Sequence, residues 1–285
     1  MNGRTIDSVQ PVWLVTGASK GIGRSVAEVA AASGALVFAG TRDVSAVESW
    51  ASGSADAARI VPLSLDVASE QSVGSAIADV VRRAGRIDVL VNNAGYLLYG
   101  GVEELSDAEV RRSFDINVFA VLAMTRAVLP VMRGQQSGRI INMASISANL
   151  STPATGLYSA TKAAVLQLSE ALDQEASPLG VRVVAICPGG VRTDFLDDSS
   201  ARRAEQRIEA YTSVHDAEDQ LAQGNHRQGG VPAKVAEAIL EVVRMTDPPS
   251  RLYLGSDAVG AIERISRSTL TSVDEFRSLS TSIDA

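Results

Sequence analysis

The chain has 285 residues, 46% hydrophobic and 21% charged, an ordinary globular balance that one α/β domain can hold. Its 33 acidic and 26 basic residues leave a formal charge of −7, which excludes the broad positive field that nucleic acid or an anionic lipid surface selects. The single cysteine, Cys187, excludes an intramolecular disulfide framework and fits a reducing compartment.

The amino terminus, MNGRTIDSVQP, has no apolar stretch of signal-peptide type, and no run approaches the roughly 18 to 20 apolar residues that cross a bilayer. A soluble cytoplasmic protein without nucleic-acid or membrane partners is expected. Apolar runs then alternate with helix-period segments. Val12 to Val15 reads as a strand ending in TGASKGIG, followed by a helix from Gly21 to Ser33. Further strands are expected at Ala35 to Ala39 and Arg59 to Leu65, a helix at Ser69 to Ala84, and a strand at Ile87 to Val91 that ends in NNAG. Ser106, with Glu109 three residues later, is a capping-box signature that opens a long helix to about Met132, with a disturbance expected near Pro130. Strands at Arg139 to Met143 and Val181 to Ile186 bracket a helix at Gly156 to Ala176. A helix at Val235 to Met245, a short strand at Leu252 to Leu254 and a helix at Asp257 to Ser266 complete the series. Such alternation predicts a single α/β domain: a doubly wound, Rossmann-like parallel sheet with helices on both faces. Two segments break the rhythm. Thr193 to Gly230 is polar and only weakly periodic, and is expected to form a partly helical lid; Ser268 to Ala285 is rich in Ser, Thr and Asp and is expected to fray.

Gly17, Gly21 and Gly23 lie between the first strand and first helix, spaced G-x-x-x-G-x-G. Glycines let the backbone turn sharply and approach a pyrophosphate, and a helix N-terminus offers free N–H groups to that anion. The residues after the second strand discriminate between nicotinamide cofactors. An NAD site places Asp or Glu here for the ribose hydroxyls, whereas this chain has Gly40, Thr41 and Arg42, with no carboxylate before Asp43. Lys20 in the turn and Arg42 would together bind a ribose 2′-phosphate through charge-assisted hydrogen bonds. NADP(H) is therefore the expected cofactor; an inward Asp43 would weaken that preference.

The chain resembles the short-chain dehydrogenases/reductases. The matching motifs are TGASKGIG at 16–23, Asp66-Val67, NNAG at 92–95, Asn117, Ser145, YSATK at 158–162 and PGGVRT at 188–193, in the family's order from about Val12 to Thr193. The resemblance implies a seven-stranded sheet, a nicotinamide cofactor, and catalysis by Asn117, Ser145, Tyr158 and Lys162. It implies cofactor contacts from Gly17, Ser19, Lys20, Gly21, Ile22, Gly23 and Arg42 at one end. Asp66 and Val67 would lie near the adenine, and Asn93, Ala94 and Gly95 near the adenosine ribose. Pro188, Gly189, Val191 and Thr193 would line the nicotinamide, beside Tyr158 and Lys162. FDINVFAVLAMTRAVLPVMR and RLYLGSDA look like the branch that includes hydroxysteroid and retinol dehydrogenases. Ala144 and Thr161 stand where Ser is common, and neither change removes a catalytic group. Family members commonly pair through the helices carrying Asn117 and Tyr158, so a homodimer or homotetramer is implied.

Carbonyl reduction needs a hydride at carbon and a proton at oxygen. Tyr158 and Lys162 are four apart, on one face of a helix. A cation about 4 Å from a phenol is worth about 4 kcal/mol at an effective dielectric of about 20, enough to bring a pKa near 10 down toward neutrality. Ser145 can bond the substrate oxygen. Asn117 is a poor mid-helix residue that needs a partner when buried; the resemblance makes it the holder of a water in a proton relay from Lys162. Cys187 reads as a small buried hydrophobe. His215 and His226 lie in the irregular segment, without the clustered ligands of a metal site. Arg202, Arg203, Glu205 and Arg207 read as a solvated helix face, and Arg192 as a surface residue. Phe195, Leu196, Ile208, Tyr211 and Leu221 point either to an apolar ligand (a steroid, retinoid or acyl chain) or to packing of the lid. The expected function is NADP(H)-dependent interconversion of a small-molecule ketone or aldehyde and its alcohol. The rival readings are a dinucleotide-binding regulator without turnover, which would lack Ser145 or the Tyr-Lys pair, and a nucleotide-sugar epimerase or dehydratase, which would carry a longer C-terminal domain.

Overall fold

Val12–Thr16 (β1) reads VWLVT, and all five residues are buried. A strand buried throughout must be covered on both faces, and its alternating side chains divide accordingly. Trp13 and Val15 enter one hydrophobic cluster, Val12 and Leu14 the other. The structure is a computed structural model that describes residues 10–284; the reading of the amino terminus rests chiefly on residues 1–9, which lie outside the described residues.

After β1 come Gly21–Ala32 (α1), Leu36–Thr41 (β2), Val44–Ala51 (α2), Ile60–Ser64 (β3), Glu70–Ala84 (α3), Val89–Asn92 (β4) and Leu97–Tyr99 (β5). Asp107–Phe114 (α4) leads through a π-turn at Asp115–Phe119 into Ala120–Gln135 (α5). Gly138–Met143 (β6), Gly156–Ala176 (α6), Val181–Pro188 (β7) and Ala201–Arg203 (β8) follow. Thr212–Gln223 (α7), Pro232–Arg244 (α8), Arg251–Leu254 (β9), Ser256–Glu275 (α9) and Arg277–Ser280 (α10) complete the order.

Seven strands form one sheet in the order β3-β2-β1-β4-β6-β7-β9, with every neighbouring pair parallel. Ala27 and Ala30 of α1 and Ile239 and Val242 of α8 cover one face; Val73 and Val80 of α3 and Val128 and Met132 of α5 cover the other. Each fully buried Val, Leu or Met contributes about 1.5 to 3 kcal/mol relative to exposure, so both faces are anchored. The winding reverses between β1 and β4, which opens a crevice at the strands' carboxyl ends. The expected doubly wound Rossmann-like sheet is borne out.

Several local expectations are corrected. The long helix is not disturbed at Pro130: α5 continues to Gln135, held by buried Val128 and Met132. Its irregularity is the π-turn that carries Asn117. The same helical stretch, Asp107–Gln135, contains a window apolar enough to span a membrane, only 33% of it buried; the sequence reading found no such run. Its buried face belongs to the core described above. The Thr193 to Gly230 segment has β8, paired in parallel with β5, and α7. Arg202 and Arg203 therefore lie on a strand, not on a helix face, and Arg203 and Arg207 both pair with Glu218, which is 4% exposed. The tail is helical to Glu275 and again at Arg277–Ser280. Its Ser/Thr composition does not prevent this, because Thr269 and Thr271 hydroxyls donate to carbonyls four residues back and Arg267 pairs with Glu263.

Candidate active site

The crevice is a cavity of about 450 Å³. It begins where β1 ends. Gly17 and Gly21 have φ of +66° and +57°, the left-handed region that glycine enters without strain. The turn is tied to NNAG beside it. The Thr16 hydroxyl oxygen accepts from Asn93 N–H and Ala94 N–H, both at 2.9 Å. The Asn93 side-chain amide donates to the Thr16 and Gly17 carbonyls at 3.0 and 3.1 Å. Two motifs 77 residues apart thus form one wall.

Gly17, Ser19, Lys20, Gly21, Ile22, Arg42, Asp66 and Val67 all line the cavity, as do Asn93, Ala94 and Gly95. Gly23 stands behind that lining. A Cβ there would come within 2.3 Å of the Gly17 carbonyl oxygen and 2.4 Å of Asn93 Nδ2, so Gly23 lets α1 pack under the turn. Lys20 Nζ donates to the Ser199 hydroxyl at 2.5 Å, reaching into the segment after Thr193. Asp43 also lines the cavity, but its carboxylate caps α2 by accepting from Ser45 N–H at 3.1 Å.

At the far end, Ser145, Tyr158, Lys162, Pro188, Gly189, Val191 and Thr193 line the same cavity. Ser145 follows β6, and Tyr158 and Lys162 follow one helical turn apart on α6. Tyr158 is 9% exposed and Lys162 6%. Burial pushes the Tyr158 phenol well above its ordinary value, against a lowering hydrogen bond with Ser145, and Tyr99 adds to the rise. Burial pulls Lys162 down to about 8, with Cys187 acting the other way. Lys162 Nζ donates to the Met143 carbonyl at 2.6 Å and lies 5.7 Å from the centroid of the Tyr158 ring. Among the protein's own groups burial is the largest influence on both: a dehydrated wall disfavours the charged form of each.

Asn117 is buried behind this wall and does not reach the cavity. Its carbonyl oxygen accepts from Tyr96 N–H at 3.0 Å, and its amide donates to the Tyr96 carbonyl at 2.9 Å and the Thr161 hydroxyl at 3.3 Å. The partner that a buried Asn requires is thus the chain after NNAG. The PGG loop is pinned from behind, with Gly189 N–H donating to the Leu254 carbonyl at 2.9 Å and Gly190 N–H to Asp257 at 2.7 Å.

Other groups have separate places. Cys187 is fully buried, and burial pushes its thiol up to about 11, the state of an inert core thiol. His215 Nε2 meets Glu104 at 2.8 Å and His226 Nε2 meets Asp197 at 3.0 Å. Asp194, Asp197 and His226 bring three ligand-type atoms within 4.8 Å, a cluster the sequence reading did not see. Arg192 Nε donates to the Gln228 carbonyl at 3.2 Å. The sequence reading also missed Tyr96, Arg112, Ile116, Ser199 and Arg202, which line the cavity. Tyr96 adjoins NNAG and Ile116 precedes Asn117, so those two had a signal; Ser199 and Arg202 had none.

An elongated trench that crosses the switch point, with glycines in left-handed turns and Lys20 at one end and Arg42 after β2, fits a dinucleotide. The short chain dehydrogenase family pattern matches residues 11–204. A short-chain dehydrogenase from Streptomyces avermitilis is 38% identical, with a TM-score of 0.89 over 97% of this chain and 100% of that one. A 3-ketodihydrosphingosine reductase from Bacteroides thetaiotaomicron is 33% identical over 248 residues, 87% of this chain and 89% of its own. An alcohol dehydrogenase from the archaeon Thermococcus sibiricus, complexed with 5-hydroxy-NADP, is 26% identical, with a TM-score of 0.71 over 86% of this chain and 96% of that one. The chain belongs to the short-chain dehydrogenase family of oxidoreductases.

Proposed function

We propose that the protein is an NADP(H)-dependent oxidoreductase that interconverts a ketone or aldehyde and its alcohol. The observation that carries this reading is the gathering of Ser145, Tyr158 and Lys162 on the wall of the cavity that begins at the glycine turn. The NADP preference is supported by Lys20 and Arg42 and by the NADP derivative bound to the Thermococcus relative. When bound, the dinucleotide supplies the hydride, and its oxidised ring a positive charge. The chain's groups do the rest. Ser145 holds the substrate oxygen, and Tyr158 donates a proton to it in reduction or takes one in oxidation. Lys162 orients the ribose. Its ammonium and the oxidised ring offset the burial that otherwise keeps the phenol protonated. Asn117 acts from behind, holding Tyr96 and Thr161 and serving the proton relay from Lys162.

We propose further that the chain is one domain and that 193–230 is its lid. Phe195, Leu196 and Leu221 pack with Leu97, Tyr99 and Ala201 around Tyr158, and the Phe195 ring lies 6.0 Å from that of Tyr158. This apolar wall supports a substrate with a hydrophobic portion, of steroid, retinoid or acyl type. Exposed Phe119 and Leu168, on the helices carrying Asn117 and Tyr158, support a homo-oligomer.

The reading is tested with a panel of ketones and alcohols followed by NADPH absorbance. Tyr158→Phe should lower turnover about 10²- to 10⁴-fold, the usual worth of an acid/base group, while NADPH affinity stays within about twofold by fluorescence titration. Full activity in that variant would remove the proposed acid/base. Equal rates with NADH and NADPH would refute the roles of Lys20 and Arg42.

A further inference from the structure

Two arginines at the mouth of the cavity have no part in the chemistry above. Arg112 stands in the last turn of α4 and Arg202 in the middle of β8, and both line the cavity that holds Ser145, Tyr158 and Lys162. Side chains alternate along a strand, and β8 divides in that way. Arg203 turns to Glu218, Ala201 is buried, and Arg202 faces the cavity. Among the described residues, neither Arg112 nor Arg202 has a carboxylate within 4.0 Å, whereas Arg203 and Arg207 share Glu218. Glu109, one turn before Arg112, is already engaged. It accepts from Ser106 N–H at 2.9 Å, the Ser106 hydroxyl at 2.7 Å and Glu205 N–H at 3.0 Å.

Tyr96 lines the same cavity as the two cations. Burial pushes its phenol up, while Arg112, the Ser113 hydroxyl and Arg202 act the other way and Glu109 adds to the rise. Two guanidiniums from separate elements thus share one cavity wall with that ring. Tyr96 follows Gly95, where a Cβ would stand 3.8 Å from Lys162 Nζ, so the pair is close to the reacting end. Ser199, on the approach to β8, meets Lys20 of the glycine turn, so the chain leading into the strand also reaches the other end of the cavity. Guanidinium forks match the geometry of carboxylate and phosphate, and such bonds are about twice as strong as neutral ones.

We propose that Arg112 and Arg202 form a two-armed site for an oxyanion, a carboxylate or phosphate group, lying across Tyr96 at the mouth of the cavity. The inference rests on the oxidoreductase reading and narrows it. The oxyanion has two possible bearers: the carbonyl substrate, which would then be a keto acid or a phosphate-bearing ketone, or the diphosphate of the dinucleotide.

The full chain is compared with Arg112→Gln, Arg202→Gln and the double variant; both side chains are exposed, so the fold is preserved. NADPH affinity is read by fluorescence titration at two salt concentrations. Binding of 4-oxopentanoate, 6-oxoheptanoate and their methyl esters to the NADP+-loaded protein is read by calorimetry. If the substrate bears the oxyanion, the double variant binds the acids about tenfold more weakly or worse, and the esters and NADPH within about twofold. If the dinucleotide bears it, NADPH affinity falls about tenfold with a shallower salt dependence, and acids and esters change alike. Unchanged affinity for every probe overturns the two-armed site alone. Failure of the wild-type chain to bind either NADPH or NADH overturns the oxidoreductase reading, and this inference with it.

Discussion

The glycine-turn region and the segment from Thr193 to Gly230 border one cavity but are held in opposite ways. The turn is fixed by backbone and neutral side-chain contacts at close quarters: Thr16 with Asn93 and Ala94, Gly23 against Gly17. The later segment is fixed by buried charge. Glu104, 1% exposed, accepts from Ile208 N–H and meets the His215 ring, both at 2.8 Å, across more than 100 residues of chain. Glu218 takes Arg203 and Arg207. Neutral close packing tolerates almost no change of shape. A buried ion pair carries a large desolvation cost and loosens when one charge is lost. The first arrangement suits a rigid cradle, the second a segment that moves.

The largest effect should come from shape. Gly23→Ala places a Cβ against the Gly17 carbonyl and Asn93. It should cost about 1 to 3 kcal/mol in stability and weaken NADPH binding at least about tenfold. Gly229→Ala, with nothing within 4 Å of the added atom, should leave both unchanged. Equal losses by thermal melting and fluorescence titration would erase the contrast.

Lys162→Met is expected to stabilise the fold while destroying activity. Burial lowers the Lys162 pKa from 10.5 to about 8. Below pH 8 the lysine is protonated both folded and unfolded, and the fold bears the full desolvation cost. That cost fades as pH rises toward 10.5. The variant should gain on the order of 3 kcal/mol at pH 7 and progressively less between pH 8 and pH 10.5. Denaturant titrations at both ends of that window check it; a gain independent of pH would contradict the buried-charge account.

Charge should act more locally in the lid. Burial raises the Glu104 carboxyl, but hydrogen bonds from Ile208 N–H, the His215 ring and Gly101 N–H outweigh it and hold the carboxyl at about 2. Its contribution is therefore complete above its ordinary value of 4.5 and is lost as pH falls toward 2. Glu104→Gln should loosen α7 by about 1 to 3 kcal/mol at neutral pH, seen as faster hydrogen exchange over 201–223 with the turn unaffected. The variant should also flatten the acid dependence of that exchange. Exchange that rises equally around Gly17 and Asn93 would show that the two regions do not move separately.

Much of the cradle was legible in the sequence because its determinants are local. Positive-φ turns ask for glycine, buried strands ask for Val, Leu and Ile, and a capping box announces α4 at Ser106 and Glu109. Those rules placed every strand of the main sheet, and the family resemblance supplied much of the cavity wall. Only the tertiary structure decided that Gly23 packs rather than touches the cavity, that Asn117 turns to Tyr96, and that Lys162 turns to the Met143 carbonyl. It also decided that Arg202 faces inward while Arg203 pairs with Glu218. Each of these depends on which distant partner arrives beside a side chain, and burial and pairing energies are set by that neighbour rather than by spacing along the chain.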